Sequence, residues 1–282
     1  MSLRCHLFAI EPKQSTRNLN DTFAFSATMK QNPGQLPVMR DDHDMLKLDW
    51  TDETPFSLDP AVLRAILDHA KPLGHNEEPD NLNLGFGFLY YGLVRALRPR
   101  HVLVIGSGYG FSVICLALGL KDNNKGKLSF VDPSYSVLKH GPFRTVGGTA
   151  QWDDAQKVRA HFRRFGVERL VTHYKLTSAE FFADYAARGL PEIDLAFIDG
   201  SHAYADVRHD FLSVLRHTHR NGYVLLHDSN IYVRELVRHA GVKRWLKVIA
   251  REQERFEVVD FPFSSGVALV RVLYDGPWEP VE

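Results

Sequence analysis

Cysteine is nearly absent from this chain: Cys5 and Cys115 are the only two among 282 residues. They lie far apart, and Cys115 sits in an apolar helical stretch. It reads as buried and reduced, which excludes a disulfide framework and suits the cytoplasm. Net charge is missing as well, since 34 Lys and Arg balance 34 Asp and Glu. A broad nucleic-acid surface needs a basic excess to displace counterions from phosphates, so no nucleic-acid partner is expected. Two basic groups, Arg159 to Arg164 and Arg216 to Arg220, read as solvated faces.

No signal peptide is expected, because the apolar stretch Leu7 to Ile10 is short and Glu11 follows at once. The one long uncharged run, His101 to Leu120, is broken by glycines and patterned as strand, turn and helix, so no membrane partner is expected. Internal repeats and low-complexity tracts are also missing. What is present is a 44% apolar chain, enough for one large core with an appendage.

Composition shifts near residue 55. Residues 1–55 are rich in Asn, Asp, Gln and Thr without a sustained period, and are expected to form an N-terminal arm or lid. Residues 56–282 hold the core domain. It opens with two helices: one from Asp59, a capping residue followed by Pro60, and one over Phe86 to Leu97.

The most informative segment is HVLVIGSGYGFS, His101 to Ser112. Val102 to Ile105 reads as a buried parallel strand, and Gly106, Gly108 and Gly110 let the backbone turn sharply and approach a ligand. A helix from Phe111 to Leu120 then points its first N–H groups at that ligand. The spacing is G-x-G-x-G, not the G-x-G-x-x-G of a dinucleotide site. A second strand, Leu128 to Val131, ends in Asp132, where a carboxylate can accept from ribose hydroxyls.

Strands and helices keep alternating. A loop of unusual composition, His140 to Trp152, reads as a substrate-side or adenine-side wall. Helices are expected over Asp153 to Phe165, Glu180 to Ala187 and Ala205 to Thr218. A third strand covers Val171 to Tyr174, a fourth lies in IDLAFIDGSH (Ile193 to His202), and a fifth lies in NGYVLLHDSN (Asn221 to Asn230). This alternation is the α/β pattern.

On these motifs the chain resembles the class I S-adenosylmethionine (SAM) dependent methyltransferases from about Gly85 to Val272. The segment Phe256 to Val272 looks like that family's closing hairpin. The implied fold is a doubly wound, Rossmann-like, seven-stranded α/β sheet with a C-terminal antiparallel hairpin. The implied cofactor is SAM, with Gly106, Ser107, Gly108, Tyr109 and Gly110 around its methionine part. Asp132 would hold the ribose, Ser178 the adenine, and Asp199 would close the site. Two departures stand out. Val104 occupies a place that is often acidic, and Thr177, Ser178 and Glu180 stand where an Asp often accepts from adenine.

Chemistry is expected where the fourth and fifth strands end. The closest motif pattern is that of small-molecule O-methyltransferases of the macrolide-sugar type, in which acidic residues after these strands hold a metal. By that resemblance Asp199 and Asp228 would ligate Mg²⁺ or another divalent cation, with His227, Asn230, water or nothing as a further ligand. His202, three residues after Asp199, would be the general base. The implied activity is methyl transfer to a small-molecule hydroxyl. The alternatives are a noncatalytic SAM- or nucleotide-binding protein and a metal-independent N-methyltransferase.

Overall fold

The computed structural model describes residues 55–135, 138–140, 143–145, 150–230 and 241–280, with backbone alone at 138–140 and 143–145. The expected N-terminal arm lies outside these residues, apart from Pro55.

Helix α1 (Pro60–His69) begins where Asp59 accepts from the Val62 amide at 2.8 Å, with Pro60 in its first turn. Helix α2 (Phe86–Leu97) follows, and then β1 (His101–Ile105), α3 (Phe111–Asp122) and β2 (Lys127–Val131). The loop after β2 contains a hairpin absent from the sequence reading, β3 (Leu138–His140) with β4 (Phe143–Thr145). Next come α4 (Ala155–Arg164), capped by Asp154, and β5 (Val171–Tyr174). Helix α5 (Ser178–Ala183) opens with a capping box in which Thr177 and Glu180 satisfy each other's backbone amides.

Strand β6 (Ile193–Ile198), α6 (Tyr204–Leu215) and β7 (Thr218–His227) complete the parallel part. Helix α6 stops three residues short of Thr218, the expected end, because Thr218 already starts β7. A further helix not read from the sequence, α7 (Val242–Ile249), precedes the closing hairpin of β8 (Phe256–Phe261) and β9 (Val267–Val272).

The seven strands lie in the order β5-β2-β1-β6-β7-β9-β8. The pairs from β5 to β7 are parallel, whereas β9 runs antiparallel to both β7 and β8. Alternation along each strand feeds two cores. Val102 and Val104 face the side covered by α1, α2, α3 and α4, while Leu103 and Ile105 face α5, α6 and α7. A strand buried on both faces cannot alternate polar with apolar residues, which is why β1 is apolar from Val102 to Ile105. The strand order reverses between β1 and β6, and at the carboxyl ends of such a pair doubly wound sheets bind ligands.

Candidate active site

The glycine turn after β1 is anchored from both neighbouring strands. The Gly106 amide donates to Val131 at 2.9 Å, and the Asp199 amide donates to Ile105 at 2.8 Å. Gly106 has φ +70°, and a Cβ there would stand 2.5 Å from the Asp199 carbonyl oxygen, so no side chain fits. Gly108 differs, because a Cβ placed on it meets nothing within 4 Å. The turn thus meets protein at Gly106, whereas among the described residues nothing would touch a Cβ at Gly108. Ser107 points inward, its hydroxyl 2.8 Å from that of Ser112. The ring of Tyr109 faces the Lys71 ammonium, 5.2 Å from its centroid, so its cation partner within the chain is Lys71.

Asp132 lies buried at the end of β2 beside this turn. It accepts from the Ser134 amide at 2.7 Å and from the Ser107 amide. Burial raises its pKa, and the two amides oppose that rise. A carboxylate has about four acceptor positions, so capacity for ribose hydroxyls remains.

Ser178 hydrogen-bonds the buried carboxyl of Asp210 on α6, which leaves the lone pairs of its oxygen able to accept from an adenine amino group. The loop after β2 is placed differently from the sequence reading. Trp152 is not a wall of the crevice. It is 2% exposed, stacks on Phe162 and packs under Gly110, filling the core beneath the turn. Residues 141–142 and 146–149 of that loop lie outside the described residues.

The catalytic candidates converge because β6 and β7 pair in register. Ile198 aligns with Leu226, so Asp199 and His227 emerge side by side. His227 Nδ1 lies 2.9 Å from Asp199 Oδ1 and 3.4 Å from Asp228 Oδ1. Asp228 leaves the strand at φ +65°, a left-handed turn that Asp tolerates better than most residues. Its Oδ2 lies 2.5 Å from His202 Nδ1. The other ring nitrogen of His202, Nε2, stands 3.5 Å from Asp199 Oδ1, is buried and has no hydrogen-bond partner. Asn230 uses its amide on the Pro262 carbonyl, and Ser229 donates to Asp260.

Sequence reasoning missed three contributors. His75, in the loop between α1 and α2, stacks on His227 with centroids 4.2 Å apart. Ser265, in the turn between β8 and β9, lies 3.0 Å from His227 Nε2 and donates to the Gly74 carbonyl at 2.5 Å. Gly74 O itself is 3.4 Å from the same nitrogen. No local pattern marks these residues, since only folding brings positions 74, 75 and 265 against 227.

Burial alone would depress the pKa of His227, but the charge of Asp199 and the hydrogen bond to it, with Asp228 nearby, raise it to about 9. Burial lowers His75 to about 3, with the charge of His227 adding to the fall and that of Asp199 opposing it. Burial raises Asp228 to about 6, offset by His227 and reinforced by Asp199.

The donor set does not suit Mg²⁺ held between Asp199 and Asp228. Mg²⁺ demands near-octahedral oxygen coordination. Among the described residues the candidate ligand groups are His75 with Asp199 and His227, and His202 with His227 and Asp228. Both contain two imidazoles, and neither joins the two carboxylates. The cause is steric and electrostatic, because the His227 ring edge occupies the space between them.

Residues 103–229 match a family model described as a methyltransferase domain. A protein of Sinorhizobium fredii (strain NBRC 101917 / NGR234), y4gI, is 26% identical over 198 residues, 70% of this chain. The chain spans about 20% of the length of that relative. Among solved structures, the O-methyltransferase TomG from Streptomyces achromogenes, determined with SAM, superposes with a TM-score of 0.54 at 15% identity over 80% of this chain and 94% of that one. An O-methyltransferase from Bacillus cereus, determined with SAH, gives 0.54 at 15% over 79% and 94%. Cofactor-bound Rv0187 from MTB gives 0.53 at 20% over 88% and 100%. At these identities the superpositions speak for the fold. The order of the motifs and the glycine turn beside Asp132 agree with this likeness to a methyltransferase domain.

Proposed function

We propose that the protein methylates a hydroxyl of a small-molecule acceptor, with His202 as general base. The observation that carries this reading is the asymmetric environment of the His202 ring. Asp228 takes the Nδ1 hydrogen, which leaves the Nε2 lone pair without a partner at the crevice. A carboxylate on one nitrogen fixes the tautomer and supports the positive charge that the ring acquires on accepting a proton at the other.

SAM supplies a methyl group already activated by its sulfonium. The protein must therefore hold the acceptor oxygen in line with that methyl and remove its proton. The glycine turn and Asp132 would hold the cofactor, and His202 Nε2 would take the hydroxyl proton. Asp199, close to the same nitrogen and to Gly106, would orient the acceptor from the floor of the crevice.

General base catalysis contributes about 10² to 10⁴-fold. His202→Ala is expected to cut SAM turnover on the acceptor by that order while SAH affinity, read by calorimetry, stays unchanged. Full turnover by a folded His202→Ala protein would remove His202 as the base.

A further inference from the structure

Asp132 is followed by Pro133, which has no amide hydrogen, so the next backbone donor in the chain is Ser134. The Ser134 amide donates to Asp132 Oδ1 at 2.7 Å, and the Ser107 amide of the glycine turn donates to the same carboxylate. Ser134 makes its bond in a left-handed conformation, φ +62°, which is unfavourable for a residue with a side chain unless the surroundings impose it. They do so here. Ser134 is buried, and its Oγ accepts the Trp152 amide at 3.0 Å. Trp152 is fixed in turn: its ring meets Phe130 of β2 edge to face with centroids 5.0 Å apart, stacks on Phe162 of α4, and lies 2.8 Å from where a Cβ of Gly110 would stand. One residue thus touches both halves of the site, the glycine turn through its ring and Asp132 through Ser134.

We propose that Ser134, held by the Trp152 amide, is a positioning residue that aims the Asp132 carboxylate and so sets a preference for ligands with an intact ribose diol. With Oδ1 tied to the Ser134 amide, the carboxylate cannot turn about its Cβ–Cγ bond without losing that partner. Its remaining acceptor positions therefore keep one direction. Two neighbouring hydroxyls need such a fixed plane, because each must meet its own lone pair at a good angle. A carboxylate free to turn would lose rotational freedom on binding, which cancels part of what the second hydrogen bond gains. Ser134 acts through Asp132. The ligand class it selects is a nucleoside with both ribose hydroxyls free.

The proposal rests on the reading of Asp132 as the ribose acceptor, and the choice of ligands lets the two fail separately. Calorimetry on the full chain compares SAH with its 2′-deoxyribose analogue. The wild type is expected to prefer SAH by about 10-fold or more, and Asp132→Ala is expected to lose that preference. Ser134→Ala removes the acceptor of the Trp152 amide and the support for the left-handed backbone, and is expected to cut the preference at least about 3-fold. Ser134→Gly accommodates φ +62° without the Oγ, so it carries the same expectation should the Ala variant not fold. A folded Ser134 variant that binds both ligands more weakly by the same factor, with the preference intact, has lost only structure and would overturn the positioning role. A wild type without a preference, or a preference kept by Asp132→Ala, would remove Asp132 as the ribose acceptor and overturn the proposal with it.

Discussion

His75 and His227 stack face to face at 4.2 Å with an interplanar angle of 26°, yet their surroundings push them apart: burial lowers His75 to about 3, while at His227 the charge of Asp199 outweighs burial and raises it to about 9. The stack holds because His75 is tied through Nδ1 to Tyr90 and is kept neutral by burial, while His227 is paired to Asp199. Tyr90 is fully buried, so Tyr90→Phe leaves a nitrogen of His75 without its partner. The expected cost is about 1–3 kcal/mol of stability, measured by urea unfolding. An unchanged midpoint would show that the Tyr90 hydroxyl does not secure the stack.

The glycines of the turn separate fold from cofactor. Gly106→Ala puts a Cβ against the Asp199 carbonyl in a left-handed backbone and should lower Tm, at a cost on the order of 1–3 kcal/mol. Gly108→Val meets none of the described residues, so Tm should change less than in Gly106→Ala while SAH affinity falls by about 10-fold or more, near 1.4 kcal/mol. Equal SAH affinity in a folded Gly108→Val protein would place the cofactor elsewhere.

Asp228 orients His202, so Asp228→Asn should lower kcat by about 10²-fold or more with little change in KM for SAM. The pH profile supplies a second readout. Burial places Asp228 at about 6, so wild-type turnover should fall as pH drops through that value and the carboxylate is lost. The Asn variant should lack that limb. A variant with the wild-type profile would dissociate Asp228 from the base.

Asp210 links pH to stability. Burial raises its carboxyl to about 7 despite the Ser178 hydrogen bond, whereas an unfolded Asp titrates near 3.8. Between those values the folded chain holds a proton that the unfolded chain has released. The contribution to stability is therefore full below about pH 4 and is lost as pH rises through about 7. Asp210→Asn keeps an acceptor for Ser178 without the charge, so its gain in Tm over wild type should be larger at about pH 8 than at about pH 4. A gain independent of pH would refute the burial of an ionisable carboxyl there.

What the sequence determined alone follows from local physics. The apolar runs of β1, β2 and β6, the cap Asp59 with Pro60, the G-x-G-x-G turn and Asp132 each declare themselves within a few residues, because backbone preference and strand burial are short-range effects. Their order was enough for the doubly wound sheet and its closing hairpin. Asp199, His202 and Asp228 were legible as strand-end residues for the same reason. Helix α7 carries an apolar face but no conspicuous cap, and it went unread. The partnership of the site belongs to tertiary structure. What surrounds His227 beside Asp199 and Asp228 depends on Gly74, His75 and Ser265, which lie up to 191 residues apart in the chain. A side chain's charge is set by the groups packed around it, and only the closed sheet brings those groups together.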